Sequence, residues 1–190
     1  GQTPLNIASE LERCGVKILG TPPATIEMAE DRDQFRRMME KLEIPMPEAG
    51  MASTLEEALE QAQKIGYPLM LRPSFVLGGR GMEIIHDESM LRAYIAEAVG
   101  VTPECPILID KYLENALEVE TDAICDGDEV FIPAIMEHIE YAGVHSGDSA
   151  CVIPPINIPE RHMRTLEEYT EKIAKTLGVI GLMNMQYAIA

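Results

Sequence analysis

Tyr67-Pro68-Leu69-Met70-Leu71-Arg72-Pro73 and, a few residues on, Leu77-Gly78-Gly79-Arg80-Gly81 decide how the fold is read. The first run has the apolar character of a core strand and ends in a cation. A guanidinium buried there costs on the order of several kcal/mol unless an anion meets it. Two readings are open: an ion pair with one of the chain's many acids, or a planar fork of donors for a phosphate. The glycines permit positive φ and close approach of backbone N–H groups to a ligand. A second apolar run, Met82–His86, follows, so the glycines sit in a hairpin between two strands. A dinucleotide-binding turn would instead open a helix, and a Walker loop would carry Gly-Lys-Ser/Thr. Taken alone, Gly-Gly-Arg-Gly is a turn. Directly after Arg72 it also reads as a flap over phosphates, with Arg80 adding charge.

Outward from that hairpin, strand and helix patterns alternate. Upstream, Pro45–Met51 reads as a strand, and Thr54 caps a helix over Leu55–Ile65 with Glu57 in the capping-box position. Earlier still, Thr3 and Pro4 suit the start of a helix to about Arg13, and Val16–Leu19 reads as a short strand. Helices follow after Thr21-Pro22 and over about Asp31–Leu42, the latter with Phe35, Met38, Met39 and Leu42 at helical spacing. Downstream, a helix runs from Asp87 to about Val99 and a short strand covers Pro106–Asp110. Strands Glu118–Cys125 and Val130–Met136 flank Asp126-Gly127, a hairpin turn signal. A long helix, about Glu160–Leu177, precedes a last strand, Leu182–Ile189. The expected class is α+β with two strand–helix lobes, and Ile107–Leu113 is a candidate hinge.

Composition narrows the function classes. The chain has 190 residues, 46% apolar and 25% charged, the balance of a folded enzyme. A formal charge of −17 argues against a nucleic-acid surface, yet a pocket for one phosphorylated ligand needs only a few cations. Cys14, Cys105, Cys125 and Cys151 form no CxxC pair, so free thiols in a reducing cytosol are expected. No apolar run approaches the ~18 residues of a membrane span, and no export signal is visible.

Two further segments bear on chemistry. Glu137-His138-Ile139-Glu140-Tyr141-Ala142-Gly143-Val144-His145-Ser146-Gly147-Asp148-Ser149 mixes histidines with acids. Its histidines lack the helical HExxH spacing of a zinc site, and a polar loop lining a ligand pocket is the preferred reading. Ser146, His145 and Asp148 are sequence neighbours without a nucleophile elbow, which removes the triad reading. In Asn184-Met185-Gln186 the two amides share one face of a strand. Such amides satisfy structural hydrogen bonds, and an amide oxygen also suits Mg²⁺.

The order and wording of these segments carry a resemblance. Ala29-Glu30-Asp31-Arg32, Arg72-Pro73-Ser74-Phe75-Val76-Leu77-Gly78-Gly79-Arg80, Met136-Glu137-His138-Ile139-Glu140, Ala142 to Cys151, and Gly181-Leu182-Met183-Asn184-Met185-Gln186 resemble the carbamoyl-phosphate synthetase large subunit. The resemblance covers essentially the whole chain. That family has two homologous ATP-grasp halves, and the wording here is similar to the second, which phosphorylates carbamate.

The resemblance implies an ATP-grasp fold, two α+β lobes clamping a nucleotide. Residues 1–20 would end a preceding α/β domain and 21–190 would be the grasp, with 42–110 a lid lobe and 111–190 a second lobe. Arg32 and Arg72 would contact ATP phosphates beneath a Gly78-Gly79 flap and carry the catalysis. Lys111 and Leu113 would offer main-chain groups to adenine, Glu118 would accept the ribose hydroxyls, and Gly143, Val144, His145 and Ser146 would line the pocket. Gln186 would ligate Mg²⁺ (or Mn²⁺), and Glu118, His138, Glu140, Val144 and Ser149 would surround K⁺. The implied reaction is attack of carbamate on the γ-phosphorus of ATP, in a cytoplasmic ligase of arginine and pyrimidine biosynthesis. Its partners would be a glutaminase small subunit and the remainder of the large subunit. The family's further acidic ligands follow Gln186 beyond Ala190, so the chain reads as an excised fragment, expected to be inactive alone. The alternatives are the bicarbonate-phosphorylating half, another ATP-grasp ligase, or a nucleotide-binding module without turnover.

Overall fold

The computed structural model describes residues 2–73, 82–99, 106–142 and 148–190. These fall into two compact units: residues 47–114 form one, and residues 1–46 with 115–190 form the other.

In the unit of residues 47–114, strands β1 (Ala49–Ala52), β2 (Leu69–Pro73), β3 (Glu83–Ile85) and β4 (Ile107–Lys111) make an antiparallel sheet in the order β1-β4-β2-β3. Helices α4 (Leu55–Ile65) and α5 (Glu88–Val99) supply the apolar cover. Ala58, Ala62, Leu91, Tyr94 and Ile95 pack with Leu69, Leu71, Ile85, Ile107 and Ile109 in one buried cluster. The start of α4 follows its sequence signal. Thr54 Oγ1 accepts from Glu57 N at 3.2 Å, and Glu57 Oε2 accepts from Ser53 N at 2.7 Å, one residue ahead of the usual reciprocal bond. Of the candidate hinge Ile107–Leu113, residues 107–111 are β4, a central strand bonded on both sides, to β1 and β2. The chain leaves this unit after Glu114, where Asn115 takes a φ of 56°, a conformation asparagine tolerates.

The other unit opens with helices α1 (Gln2–Arg13), α2 (Pro23–Glu30) and α3 (Arg32–Lys41). Helix α1 already includes Thr3 and Pro4, so Thr3 is not its cap. Asp31 caps α3, its side chain accepting from Gln34 N at 2.9 Å. Val16–Leu19 is not a strand but a connection whose Val16 and Leu19 are exposed, and among the described residues no strand pairs with it. Strands β5 (Leu117–Asp126), β6 (Val130–Tyr141), β7 (Cys151–Val152) and β8 (Ile180–Ile189) form an antiparallel sheet ordered β7-β6-β5-β8. Asp126 Oδ1 accepts from Asp128 N and Glu129 N in the expected β5–β6 turn, where Gly127 has a φ of 105°.

Helix α6 (Glu160–Leu177) buries Leu166, Thr170, Ile173, Ala174 and Leu177, a single stripe at helical spacing. Ile173, Ala174 and Leu177 cluster with Cys125, Val179, Met38 and Met39, while Leu166 joins Val119 and Ile135. Thr121, Thr170 and Tyr187 satisfy their hydroxyls together beneath the helix, at 3.0 and 2.8 Å. The helix thus covers one face of the sheet, and the strand period sends the alternate residues to the other.

Candidate functional site

Along β5 the buried positions Val119, Thr121, Ala123 and Cys125 meet α6, so Glu118, Glu120 and Asp122 project from the opposite face. Successive carboxylates on that face stand about 7 Å apart along the strand. Pairing with β8 sets Gln186 opposite Glu120, Asn184 opposite Asp122 and Ala188 opposite Glu118. Gln186 and Asn184 are both exposed, which is the shared face expected from their spacing. Asn184 Nδ2 donates to Glu120 Oε1 at 2.5 Å and to Asp122 Oδ1 at 2.8 Å. One amide therefore ties two acids together.

The β6 side completes this face and corrects the sequence reading of His138. That reading ended the strand at Met136, whereas β6 continues to Tyr141. His138 pairs with Cys151 of β7 and is only 1% exposed. Its Nε2 lies 3.1 Å from Glu120 Oε2, while its Nδ1 has no partner among the described residues. Glu140 accepts from Ser149 Oγ at 2.7 Å and from Ala150 N at 2.8 Å. Those two bonds hold its carboxyl below the usual range. Burial, followed by the charges of Glu120, Glu140 and Glu118, pushes the Cys151 thiol up.

Glu137, one residue from His138, belongs to the α6 side and serves another purpose. It accepts from Ile156 N, Asn157 N and Asn157 Nδ2 at 2.7, 2.8 and 2.6 Å. Burial raises its pKa, but the bonds from Asn157 and Ile156 outweigh that and leave it depressed. The carboxylate pins the segment between β7 and α6.

In the unit of residues 47–114 the cations come first. Arg72 is half-buried rather than buried, its side chain 35% exposed, and it pairs with Asp110. Its Nε donates to Asp110 Oδ2 at 3.0 Å and its Nη2 reaches the same oxygen. The ion-pair reading of the sequence is thus present in the structure. Only part of the five-donor guanidinium is used in it, however. Lys111 Nζ donates to the carbonyls of Gly66 and Tyr67 at 3.0 and 2.8 Å, and its main-chain N–H donates to Glu48 O at 2.7 Å. That N–H is thus engaged within the sheet unit. Leu113 is half-buried just past β4.

Arg32, in the other unit, is exposed at the first turn of α3. Gly78, Gly79, Gly143, Val144, His145 and Ser146 lie outside the described residues. Glu120, Asp122 and Cys151 are site-face residues that the sequence reading passed over. The signal for the two acids was the alternation of acids with apolar or small residues through Glu118–Cys125, whereas Cys151, on β7, lies outside that run.

Solved structures place this architecture in a class. A biotin carboxylase from Campylobacter jejuni, in complex with β-γ-ATP, superposes with a TM-score of 0.76 at 22% identity. The match covers 97% of this chain and 42% of that one. The biotin carboxylase domain of Hydrogenobacter thermophilus 2-oxoglutarate carboxylase, with MgADP, ADP and bicarbonate, gives 0.74 at 24% identity over 97% of this chain and 42% of its own. The fold is ATP-grasp, of the biotin carboxylase kind.

The family described as carbamoyl-phosphate synthase L chain, ATP binding domain, matches residues 31–190, and the chain belongs to it. The carbamoyl phosphate synthase large chain of Archaeoglobus fulgidus is 60% identical over 189 residues, covering 100% of this chain and 18% of that one. A Methanocaldococcus jannaschii relative, named as the C-terminal section of that large chain, is 55% identical over 100% of this chain and 31% of its own. The chain thus spans between about a fifth and a third of the length of these relatives. Among the described residues, no helix is long and apolar enough to cross a membrane.

Proposed function

We propose that this chain is the ATP-binding part of the carbamate-phosphorylating half of a carbamoyl-phosphate synthase large chain. The observation that carries the reading is the open face of the β5–β8 sheet. There Glu118, Glu120, Asp122 and Gln186 set out oxygen donors side by side, with Asn184 bracing two of them. Hard oxygen donors of this kind fit Mg²⁺, which binds few protein ligands and shares its shell with phosphates. Gln186 and the facing acids would hold it, and its chemistry there is neutralisation of charge on the phosphate oxygens.

The remaining roles belong to the side chains. Glu118, only 9% exposed, would accept the ribose hydroxyls. Arg72 contributes the donors left free by Asp110 to phosphate oxygens, and Asp110 fixes the plane of the fork. Arg32 is the other residue assigned to ATP phosphates. The adenine edge would fall to main-chain groups of Lys111 and Leu113. Gly78 and Gly79 would cover the phosphates and exclude water, which matters because carbamate decomposes in it. Gly143, Val144, His145 and Ser146 would line the pocket, and Glu118, His138, Glu140, Val144 and Ser149 would hold K⁺. Already held by Ser149 and Ala150, Glu140 keeps its charge to a lower pH than an ordinary glutamate.

The in-line attack asks little covalent chemistry of the protein, and positioning with charge stabilisation does the rest. The assignment to the second half is supported by the Met136–Glu140 wording and by the relative named as a C-terminal section. In the whole protein the ammonia-supplying partner would be a glutaminase subunit, in the cytoplasm. The test is made in the complete large chain carrying Arg72→Ala. Carbamate-dependent ATP consumption should fall by about 100-fold or more, as for loss of one preorganised charge contact, while bicarbonate-dependent hydrolysis persists. The opposite pattern would assign this domain to the bicarbonate step.

A further inference from the structure

One cluster on the open sheet face has a chemistry that Mg²⁺ and K⁺ do not use. Ligand atoms of Glu120, His138 and Cys151 all lie within 4.8 Å of one another. They come from three adjacent strands, β5, β6 and β7, so their backbones are fixed by the ladder rather than by a loop. We infer that Glu120, His138 and Cys151 form a binding site for a thiophilic divalent cation of the zinc class.

Carboxylate, imidazole and thiolate are the three zinc donors found in proteins, whereas a thiolate is no ligand for Mg²⁺ or K⁺. With metal–ligand bonds of about 2.0–2.3 Å, tetrahedral donors stand about 3.4 Å apart. Glu120 Oε2 and His138 Nε2 are at 3.1 Å already. Cys151 is exposed, so its side chain has room to turn in. The outer shell is in place as well, since Asn184 holds the other Glu120 oxygen at 2.5 Å.

His138 is almost fully buried, which fixes the ring that presents Nε2 to Glu120. Its Nδ1, on the far side of the ring, has no partner among the described residues and is no part of the site. Three ligands leave a fourth position open on the exposed side, to water or to a phosphate oxygen. The inference does not rest on the nucleotide reading, and a test without nucleotide keeps the two separate.

The metal-free chain is titrated with Co²⁺ and followed by absorption spectroscopy, then challenged with Zn²⁺. The expected result is one cobalt per chain with tetrahedral d–d bands and a thiolate-to-cobalt charge-transfer band, displaced by equimolar Zn²⁺. Cys151→Ser should remove the charge-transfer band and weaken Zn²⁺ binding about tenfold or more. Cys14→Ser should change neither. Glu120→Gln should keep the sulfur band but weaken Zn²⁺ by a similar factor. A wild-type spectrum without sulfur ligation, a sulfur band that survives Cys151→Ser, or unaltered affinity in Glu120→Gln would overturn the site.

Discussion

Glu118 and Glu137 are two nearly buried acids on one sheet, and the strand period gives them opposite duties. Glu118 faces away from α6, where the proposed ribose would lie. Glu118→Ala should therefore weaken ATP more than the 2′,3′-dideoxy nucleotide in calorimetric titration, and equal losses would remove it from the ribose site. Glu137 faces inward and holds Ile156 and Asn157. Its folded carboxyl lies below the ordinary 4.5, so its stabilisation is complete above that value and drains away as pH falls through the lower, folded one. Glu137→Gln should lower the melting temperature at neutral pH and flatten the stability–pH curve below about 4.5. Thermal melts across that range check both. Legibility at this scale was uneven. Asn184 and Gln186 could be assigned a shared face from their spacing alone. The state of Arg72 could not, because its carboxylate partner lies 38 residues away and only the β2–β4 pairing brings Asp110 alongside.

At the scale of elements, α6 organises the sheet by covering one face and leaving the other to polar groups. Its stripe from Leu166 to Leu177 was readable as an amphipathic helix, and its C-terminus follows the glycine rule, with Gly178 at a φ of 68°. Ile173, 1% exposed, sits in the middle of that stripe. Ile173→Ala should cost about 2–5 kcal/mol, measured by urea denaturation. A cost under 1 kcal/mol would show that α6 is not what seals the sheet. The far end of β6 was harder to read. Glu137-His138 looks like the start of a polar loop until β5 and β7 supply hydrogen bonds on both sides, and burial then follows from tertiary pairing rather than local sequence. Val16–Leu19 erred the other way, since apolar residues without a neighbouring strand stay a connection.

At the scale of the whole molecule, each compact unit has its own core, built of one apolar cluster in residues 47–114 and of two in the other unit. The α+β class and most elements of both units were legible from period and turn chemistry, while the class of nucleotide site came from a resemblance in wording. A chain with two cores need not unfold in one step. Leu71→Ala, in the cluster of the unit spanning residues 47–114, should lower amide protection there. Protection along β5 and α6 should stay close to wild type in hydrogen-exchange mass spectrometry. Uniform loss across the chain would show a single cooperative unit. Strand β8 closes the sheet order on one side, and its ten residues, Ile-Gly-Leu-Met-Asn-Met-Gln-Tyr-Ala-Ile, carry no proline and no charge. Proteins commonly blunt such a border with lysine, proline or a bulge. Among the described residues the Thr21 hydroxyl covers this border at Ile180, and the rest runs as a selvedge onto which another extended backbone can be woven, whether it comes from the same polypeptide or a neighbouring copy.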